Sequence, residues 1–324
     1  MTQRLLVTGA TGFIGKAVIN ALLLQNDHVV AAVRSEDASV QHGAEKRIVG
    51  DLSIINNWSS ALKGIDVVIH TAARVHVMDD FAADPLTEFR KVNTDGTLNL
   101  ARQAANAGVK RFIYISSIKV NGEMTTSGQS FKPDDIFIPT DAYGLSKYEA
   151  EQGLFVEANK TGMEVVIIRP PLVYGPCVRA NFLSMMKWIN KGVPLPLGAV
   201  HNQRSLIALD NLVSFIIYCI EPPKAANEIF LISDDEDVST SELLQKVAKA
   251  FGKNALLLPI PVVLLTFVAQ LLGKRNMASR LFGSLQVDSS KARELLGWKP
   301  VITMEEQLKK TANAYLNEKA SQHE

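Results

Sequence analysis

Tyr143 and Lys147 stand four residues apart in Tyr143-Gly144-Leu145-Ser146-Lys147, a spacing that puts a phenol and an ammonium on one face of a helix. Such a pair can move a proton. A free tyrosine titrates near about pH 10, too high for a base at neutrality, but a neighbouring ammonium favours the phenolate and lowers that value. The spacing alone says little, since Tyr-x-x-x-Lys also decorates ordinary solvated helices. Its meaning depends on the elements that hold it.

Through the first two thirds of the chain, short β-branched runs alternate with longer helical patterns. The strand candidates are residues 5–8, 29–33, 47–49, 67–70, 112–116 and 165–169, and the helix candidates are 14–24, 58–62, 86–107 and 142–160. This alternation predicts an α/β fold, a doubly wound parallel sheet of Rossmann type. Near-continuous apolar strands agree with burial on both faces. After Arg169 the pattern breaks at Pro170-Pro171, Gly175-Pro176, Pro194, Pro196 and Pro222-Pro223, where function-bearing loops are expected.

Thr8-Gly9-Ala10-Thr11-Gly12-Phe13-Ile14-Gly15 follows the first strand and opens the first helix. Its Gly-x-x-Gly-x-x-Gly spacing gives a tight turn, a close backbone approach to a pyrophosphate and close helix-to-strand packing. The helix N-terminus adds free N–H groups and a positive dipole end. A dinucleotide is therefore expected on residues 1–170, the Rossmann domain. Residues 171–324 are expected to form a smaller, discontinuous C-terminal α/β region for substrate, with some strands and helices returning to the core.

An NAD-selective site expects an acid at the end of the second strand, to bond the ribose 2′-OH. Here Val33 stands in that place and Arg34 follows. Arginine accommodates a 2′-phosphate, so NADP(H) is the favoured cofactor and NAD(H) the alternative. Asp51 and Leu52 follow the third strand, where Asp51 can face the adenine. His70-Thr71-Ala72-Ala73 ends the fourth with small residues that let a cofactor approach. Strand ends are where open α/β sheets bind ligands, although Asp51 also suits a turn and His70 a satisfied histidine at the sheet edge.

The bulk numbers narrow the classes. With 324 residues the chain can bury a large core,. Lys plus Arg total 34 against 33 Asp plus Glu, a formal charge of +1, and no block of like charge offers a nucleic-acid surface. Cys177 and Cys219 lie 42 positions apart with no Cys-x-x-Cys or Cys/His cluster, so neither a disulfide framework nor a metal site is expected. Both read as buried packing residues. The start lacks a signal-peptide pattern, and a cytoplasmic location is expected. Residues 256–272 are strongly apolar, but Pro259 and Pro261 leave only eleven uninterrupted residues before Gly273, short of the ~20 a spanning helix needs. They predict a packed or interfacial helix, with peripheral membrane contact as the lesser alternative.

The glycine loop, Ser116-Ser117, Tyr143-x-x-x-Lys147 and Arg169-Pro170-Pro171-Leu172-Val173-Tyr174-Gly175-Pro176 together resemble the extended short-chain dehydrogenase/reductase family, in its nucleotide-sugar epimerase and dehydratase branch. The likeness runs to Asp288-Ser289-Ser290-Lys291-Ala292 and Leu296-Gly297-Trp298-Lys299-Pro300. It implies that Tyr143 exchanges a proton with a substrate oxygen, Ser117 hydrogen-bonds the same oxygen, and Lys147 binds the nicotinamide ribose. Asn93 resembles the asparagine that supports the cofactor-proximal strand end, and Pro170 falls in the cofactor wall. Asn181, Phe182 and Leu183 resemble the segment along a nucleotide base and diphosphate. Arg204 resembles the arginine that pairs the diphosphate, a task suited to a guanidinium, although pairing with Asp210 or Glu221 is the bland alternative. Sugar epimerases of this kind carry a second Arg-x-x-Asp, but the chain reads Arg280-Leu281-Phe282-Gly283, without the acid.

The resemblance implies hydride transfer at C4 of a UDP-hexose. The favoured reading is an NADPH-dependent UDP-4-keto-sugar reductase, from Arg34. The alternative is a UDP-glucose or UDP-N-acetylhexosamine 4-epimerase with tightly held NAD, and a non-catalytic dinucleotide sensor is the reading from another class. A 4,6-dehydratase fits less well, because Ile118-Lys119 follows Ser117 where that branch has an acid. The family's four-helix contact, through 86–107 and 142–160, implies a homodimer.

Overall fold

Alternate side chains of a strand point to opposite faces, and the first strand shows what that does to an apolar run. Leu5 and Val7 enter one buried cluster with Val29, Ala31 and Val33, while Leu6 enters a second with Val30 and Ala32. Each face of the sheet must therefore be covered. The computed structural model describes residues 3–53, 55–75, 84–126, 128–273 and 275–321, and leaves out the side chains of residues 275–277 and 280.

The six expected strands form within a few residues of their predicted bounds: β1 Arg4–Thr8, β2 His28–Val33, β3 Glu45–Ile48, β4 Val67–His70, β5 Arg111–Ile115 and β6 Glu164–Arg169. Next come β7 (Leu172–Tyr174) and β8 (Arg204–Ala208), outside the main sheet, and then β9 (Glu228–Leu231), which returns to it. The main sheet runs β3-β2-β1-β4-β5-β6-β9 with every pairing parallel, a doubly wound order that reverses between β1 and β4. The crevice at that reversal is the place for a ligand.

Helix α1 (Phe13–Leu24) and α2 (Ser59–Leu62) lie on opposite faces. The helix expected over 86–107 is not one regular element. It begins as α3 (Pro85–Phe89), passes through a π-helical stretch, Arg90–Gly96, and continues as α4 (Thr97–Asn106). Side chains inside the stretch account for the wider turn: Asn93 and Thr94 both turn inward to bond Ser146, at 3.1 and 2.9 Å. Such bulges recur at functional sites. Ser146 belongs to α5 (Ala142–Thr161), which begins with Asp141 accepting from the Gly144 N–H at 3.1 Å and ends at Gly162 with φ +76°,.

The C-terminal stretch builds a second core around Tyr174, Phe182, Met186, Leu206, Leu244 and Leu308. It is assembled from α6 (Ala180–Asn190), α7 (Leu209–Tyr218), whose inner face joins the main core, and α8 (Thr240–Ala250). A three-stranded sheet, β10-β8-β7 with β10 at Asp237–Val238, underlies it. Then follow α9 (Val262–Leu271), α10 (Arg275–Phe282), α11 (Ser290–Leu296) and α12 (Met304–Ser321). One expectation is corrected here: Cys177 is exposed, only Cys219 being buried. Helix α9 buries none of its residues fully and leaves most of its apolar side chains exposed, with Val262, Leu265 and Ala269 half-buried. Among the described residues no helix is long and apolar enough to cross a membrane, and no cluster of His, Cys, Asp or Glu could hold a metal ion.

Candidate active site

Gly9 has φ +67°, and a Cβ there would come within 2.8 Å of the Ala72 nitrogen; one on Gly15 would meet the Gly9 carbonyl at 2.2 Å. Only glycine lets β1 turn into α1 this close to the end of β4. Gly12 caps α1 with no side-chain hydrogen bond, and the first turn carries no acid, so its N–H groups and positive dipole end face the crevice uncompensated. Thr11 and Gly12 are exposed, Phe13 and Ile14 half-buried. A tight glycine turn opening onto a helix N-terminus that no side chain caps suits a pyrophosphate.

The floor beyond this turn is pinned by hydroxyls. Thr71 donates to the Thr8 carbonyl at 2.7 Å. His70 is fully buried, with Nδ1 2.6 Å from Thr8 Oγ1 and Nε2 2.9 Å from Thr97 Oγ1, which makes it the satisfied histidine rather than a ligand group. Burial first, and the charge of Lys147 second, hold its pKa down to about 3. Ala72 and Ala73 follow, half-buried, and Asn93 braces the segment by accepting from Arg74 N–H at 2.8 Å and donating to Arg74 O at 3.0 Å. At the other end of the crevice Arg34 and Asp51 are both exposed and pair at 3.6 Å. Leu52, half-buried, backs onto Gly96, where a Cβ would meet it at 3.2 Å.

Ser117, Tyr143 and Lys147 converge past the end of β5. Burial pushes the Tyr143 phenol up to about 12, against the nearby Ser117 hydroxyl, which favours the phenolate. The ring packs edge-on against Phe89 at 5.9 Å. Lys147 is only 2 % exposed; its Nζ donates to the Ile115 carbonyl at 2.8 Å and lies 4.5 Å from the centre of the Tyr114 ring. The expected tuning of phenol by ammonium is therefore absent from this arrangement, because Lys147 turns into the sheet. Burial lowers the Lys147 pKa to about 7, against the opposing charge of Glu151. Pro170 is buried, and its carbonyl accepts from Ile118 N–H at 3.0 Å, holding the Ser117 turn.

One group went unrecognised in the sequence. Glu151, fully buried, receives Arg169 through Nε at 3.0 Å and Nη2 at 2.5 Å and accepts from Ser116 Oγ at 2.5 Å; Arg169 also donates to Asn121 Oδ1 at 2.9 Å. This lock ties α5 to β5 and β6 beneath Tyr143 and Lys147. The signal was present: Tyr143, Lys147 and Glu151 repeat every four residues, one face of a helix.

The expected substrate residues are less unified. Asn181 is exposed and Leu183 half-buried on α6, but Phe182 is 4 % exposed and stacks on Tyr174 at 5.7 Å, so it fills the second core instead of presenting a ligand surface. Arg204 on β8 donates to the Gly283 carbonyl at 3.1 Å, and burial lowers its pKa; Asp210 pairs with Lys310 instead, at 2.8 Å. Arg280 falls on α10, with its side chain outside the described residues.

Known proteins resemble this chain in sequence and in fold. A UDP-glucose 4-epimerase of Vibrio cholerae is 48% identical over 322 residues, covering 98% of this chain and 96% of its own. An N-acetyl-α-D-glucosaminyl-diphospho-ditrans,octacis-undecaprenol 4-epimerase of Escherichia coli O157:H7 is 29% identical over 82% of this chain and 78% of its own. The fold matches a crystal structure of a Bacillus cereus UDP-glucuronic acid 4-epimerase in complex with NAD at TM-score 0.77 and 23% identity, over 97% of this chain and 99% of that one. Residues 5–233, spanning the glycine turn, Ser117, Tyr143, Lys147 and the Arg169 motif, match the family model itself: the chain belongs to the NAD dependent epimerase/dehydratase family.

Proposed function

We propose that this chain moves a hydride between C4 of a UDP-hexose and a nicotinamide, acting as a 4-epimerase that keeps its NAD through the cycle. The observation that carries the reading is the meeting of Ser117, Tyr143 and Lys147 at the mouth of a glycine-turn crevice, in a chain 48% identical to a UDP-glucose 4-epimerase along 98% of its length. The glycine turn and the first turn of α1 would hold the pyrophosphate, and Ala72, Ala73 and Pro170 would wall the ring end. When bound, the dinucleotide accepts and returns the C4 hydride.

The chain's own groups handle the proton. At neutral pH Tyr143, with its pKa near about 12, holds its proton and can give it to a C4 oxyanion. Ser117 shares that oxygen and keeps it in line with the phenol. For the opposite direction Tyr143 must accept a proton, and Lys147 supplies the means: moved off the Ile115 carbonyl toward the phenol, its ammonium would lower the tyrosine pKa. Arg204 and Asn181 are assigned to the diphosphate and base.

A second reading rests on Arg34. No acid stands at the end of β2, and an exposed guanidinium paired only loosely with Asp51 at 3.6 Å can swing onto a 2′-phosphate. That favours an NADPH-dependent UDP-4-keto-sugar reductase, in which Tyr143 acts only as the acid. Denaturing the purified protein and identifying any released nucleotide separates the two. Stoichiometric NAD supports the epimerase; empty protein with saturable NADPH binding supports the reductase, and no affinity for either dinucleotide defeats both. We further assign a homodimer contact to the outer faces of α4 and α5, where Val156 is exposed; sedimentation showing only monomer at micromolar protein would remove it.

A further inference from the structure

The face built by α9 and the end of α6 has no part in this chemistry. On α9, Val263 is 82% exposed, Phe267 57% and Leu271 71%. Leu256 and Leu258, just before it, are exposed too, and they are tied to the segment after α6 by two backbone bonds of 2.8 Å, Leu195 N–H to Leu256 O and Leu258 N–H to Leu195 O. That segment continues the apolar surface through Val193 to Trp188, itself 52% exposed. Scattered exposed leucines are ordinary, but a contiguous patch on one face marks a contact surface.

Charge identifies the occupant. Residues 180–200 and 253–273, the α6-to-loop and loop-to-α9 segments of this face, contain no Asp or Glu and carry Lys187, Lys191 and Lys253. Lys187 and Lys191, on and just past α6, are exposed, and Lys253 is exposed where it reaches Asn190 Oδ1 at 2.8 Å. In sequence Lys274 and Arg275 follow the apolar run after Gly273. A protein groove would set acids opposite these cations and so requires a partner of matching shape; a bilayer with anionic headgroups satisfies the apolar side chains, the interfacial tryptophan and the basic margin together.

We propose that this face docks the protein on an anionic lipid surface, with α9 lying in the interface plane. Ten residues of helix span about 15 Å, enough to immerse one apolar face and too short to cross. Phe267, Val263 and Leu271 enter the acyl boundary while Lys187, Lys191 and Lys253 meet the headgroups. The docking is reversible and salt-sensitive, since a single short helix plus a few cations gives only modest membrane affinity.

The full chain is mixed with sucrose-loaded vesicles, either phosphatidylcholine alone or with ~30 mol% phosphatidylglycerol, and pelleted. The expected result is pelleting with the anionic vesicles that falls at least ~tenfold in ~0.5 M NaCl. The double variant Phe267→Glu with Leu271→Glu should lose pelleting by a similar factor while keeping dinucleotide affinity, and Lys187→Glu with Lys191→Glu should abolish the preference for phosphatidylglycerol. Recovery in the pellet that is equal with and without vesicles overturns the proposal, as does vesicle binding indifferent to salt and to both variants. So does a dimer that the Phe267→Glu, Leu271→Glu variant dissociates, without vesicle binding, because a second copy would then be the occupant. The salt dependence uses the unaltered chain, so the test stands even if a variant fails to fold.

Discussion

Replacing Glu151 with Gln tests the lock beneath Tyr143 and Lys147 with little change of shape. The carboxylate is 0% exposed and Arg169 4%, and two nitrogens of one guanidinium reach the carboxylate at 3.0 and 2.5 Å. In the variant Arg169 keeps its charge and its bond to Asn121 but loses its counter-ion in a low-dielectric interior. Removing one partner of a buried pair costs roughly 3–5 kcal/mol; the Gln carbonyl retains one acceptor, which puts this substitution near the lower end, about 3 kcal/mol. That is roughly a hundredfold in the folding equilibrium. Under the proposed role of Lys147 the pair also couples to turnover: Glu151 is the charge that opposes the burial of Lys147, so its removal should move the Lys147 titration below about 7 and shift the pH profile of turnover with it. Urea unfolding followed by the emission of the three tryptophans supplies the stability, and the cycle is completed with Arg169→Met alone and combined with Glu151→Gln,. The combined variant should cost less than the two singles added together, since it leaves no unpaired charge. A Glu151→Gln protein within ~1 kcal/mol of the parent, or strictly additive costs, would refute the reasoning.

Other outcomes follow from the same site. Tyr143→Phe should lower turnover by at least ~10²-fold with dinucleotide affinity nearly unchanged by calorimetry, and retained turnover would remove the phenol from the mechanism. His70, held neutral to about 3 against an ordinary 6.5, cannot take the proton that the unfolded chain binds below 6.5; stability should therefore fall by ~1.4 kcal/mol per pH unit between those values. Urea midpoints at pH 7.5 and 5 would measure that slope, which His70→Asn should flatten; equal slopes would contradict the buried neutral imidazole. Arg34→Ser should weaken NADPH binding at least ~tenfold while sparing NADH if the guanidinium serves a 2′-phosphate, and equal titrations for parent and variant would discard the reductase reading.

The sheet was legible because its strands must be buried twice: Leu5, Leu6 and Val7 are all apolar for the reason that both faces are covered, and no loop preference competes with that signal. The glycine turn was legible for a related reason, since Gly9 and Gly15 sit where any side chain would strike backbone. What the chain did not disclose depends on which way a long side chain turns. Lys147 shares a helical face with Tyr143, yet its four methylenes let it reach the Ile115 carbonyl, and spacing cannot distinguish the two directions. The π-helical stretch was hidden similarly: residues 86–107 carry an unbroken helical pattern, and the widening comes from Asn93 and Thr94 bonding Ser146, more than fifty positions away. Phe182 is named a substrate residue only through the family resemblance of Asn181-Phe182-Leu183, which carries no sign that Tyr174 supplies a ring for it to stack against.

The most direct test of hydride transfer at C4 follows the hydrogen itself. UDP-glucose deuterated at C4 is incubated with the purified protein and its dinucleotide, and the products are read by NMR and mass spectrometry. Deuterium retained at C4 of an inverted sugar, or carried onto the nicotinamide ring, is the predicted result, and Tyr143→Phe should prevent either. Deuterium released into water would contradict the account, because it would mean that C4 loses a proton instead of a hydride.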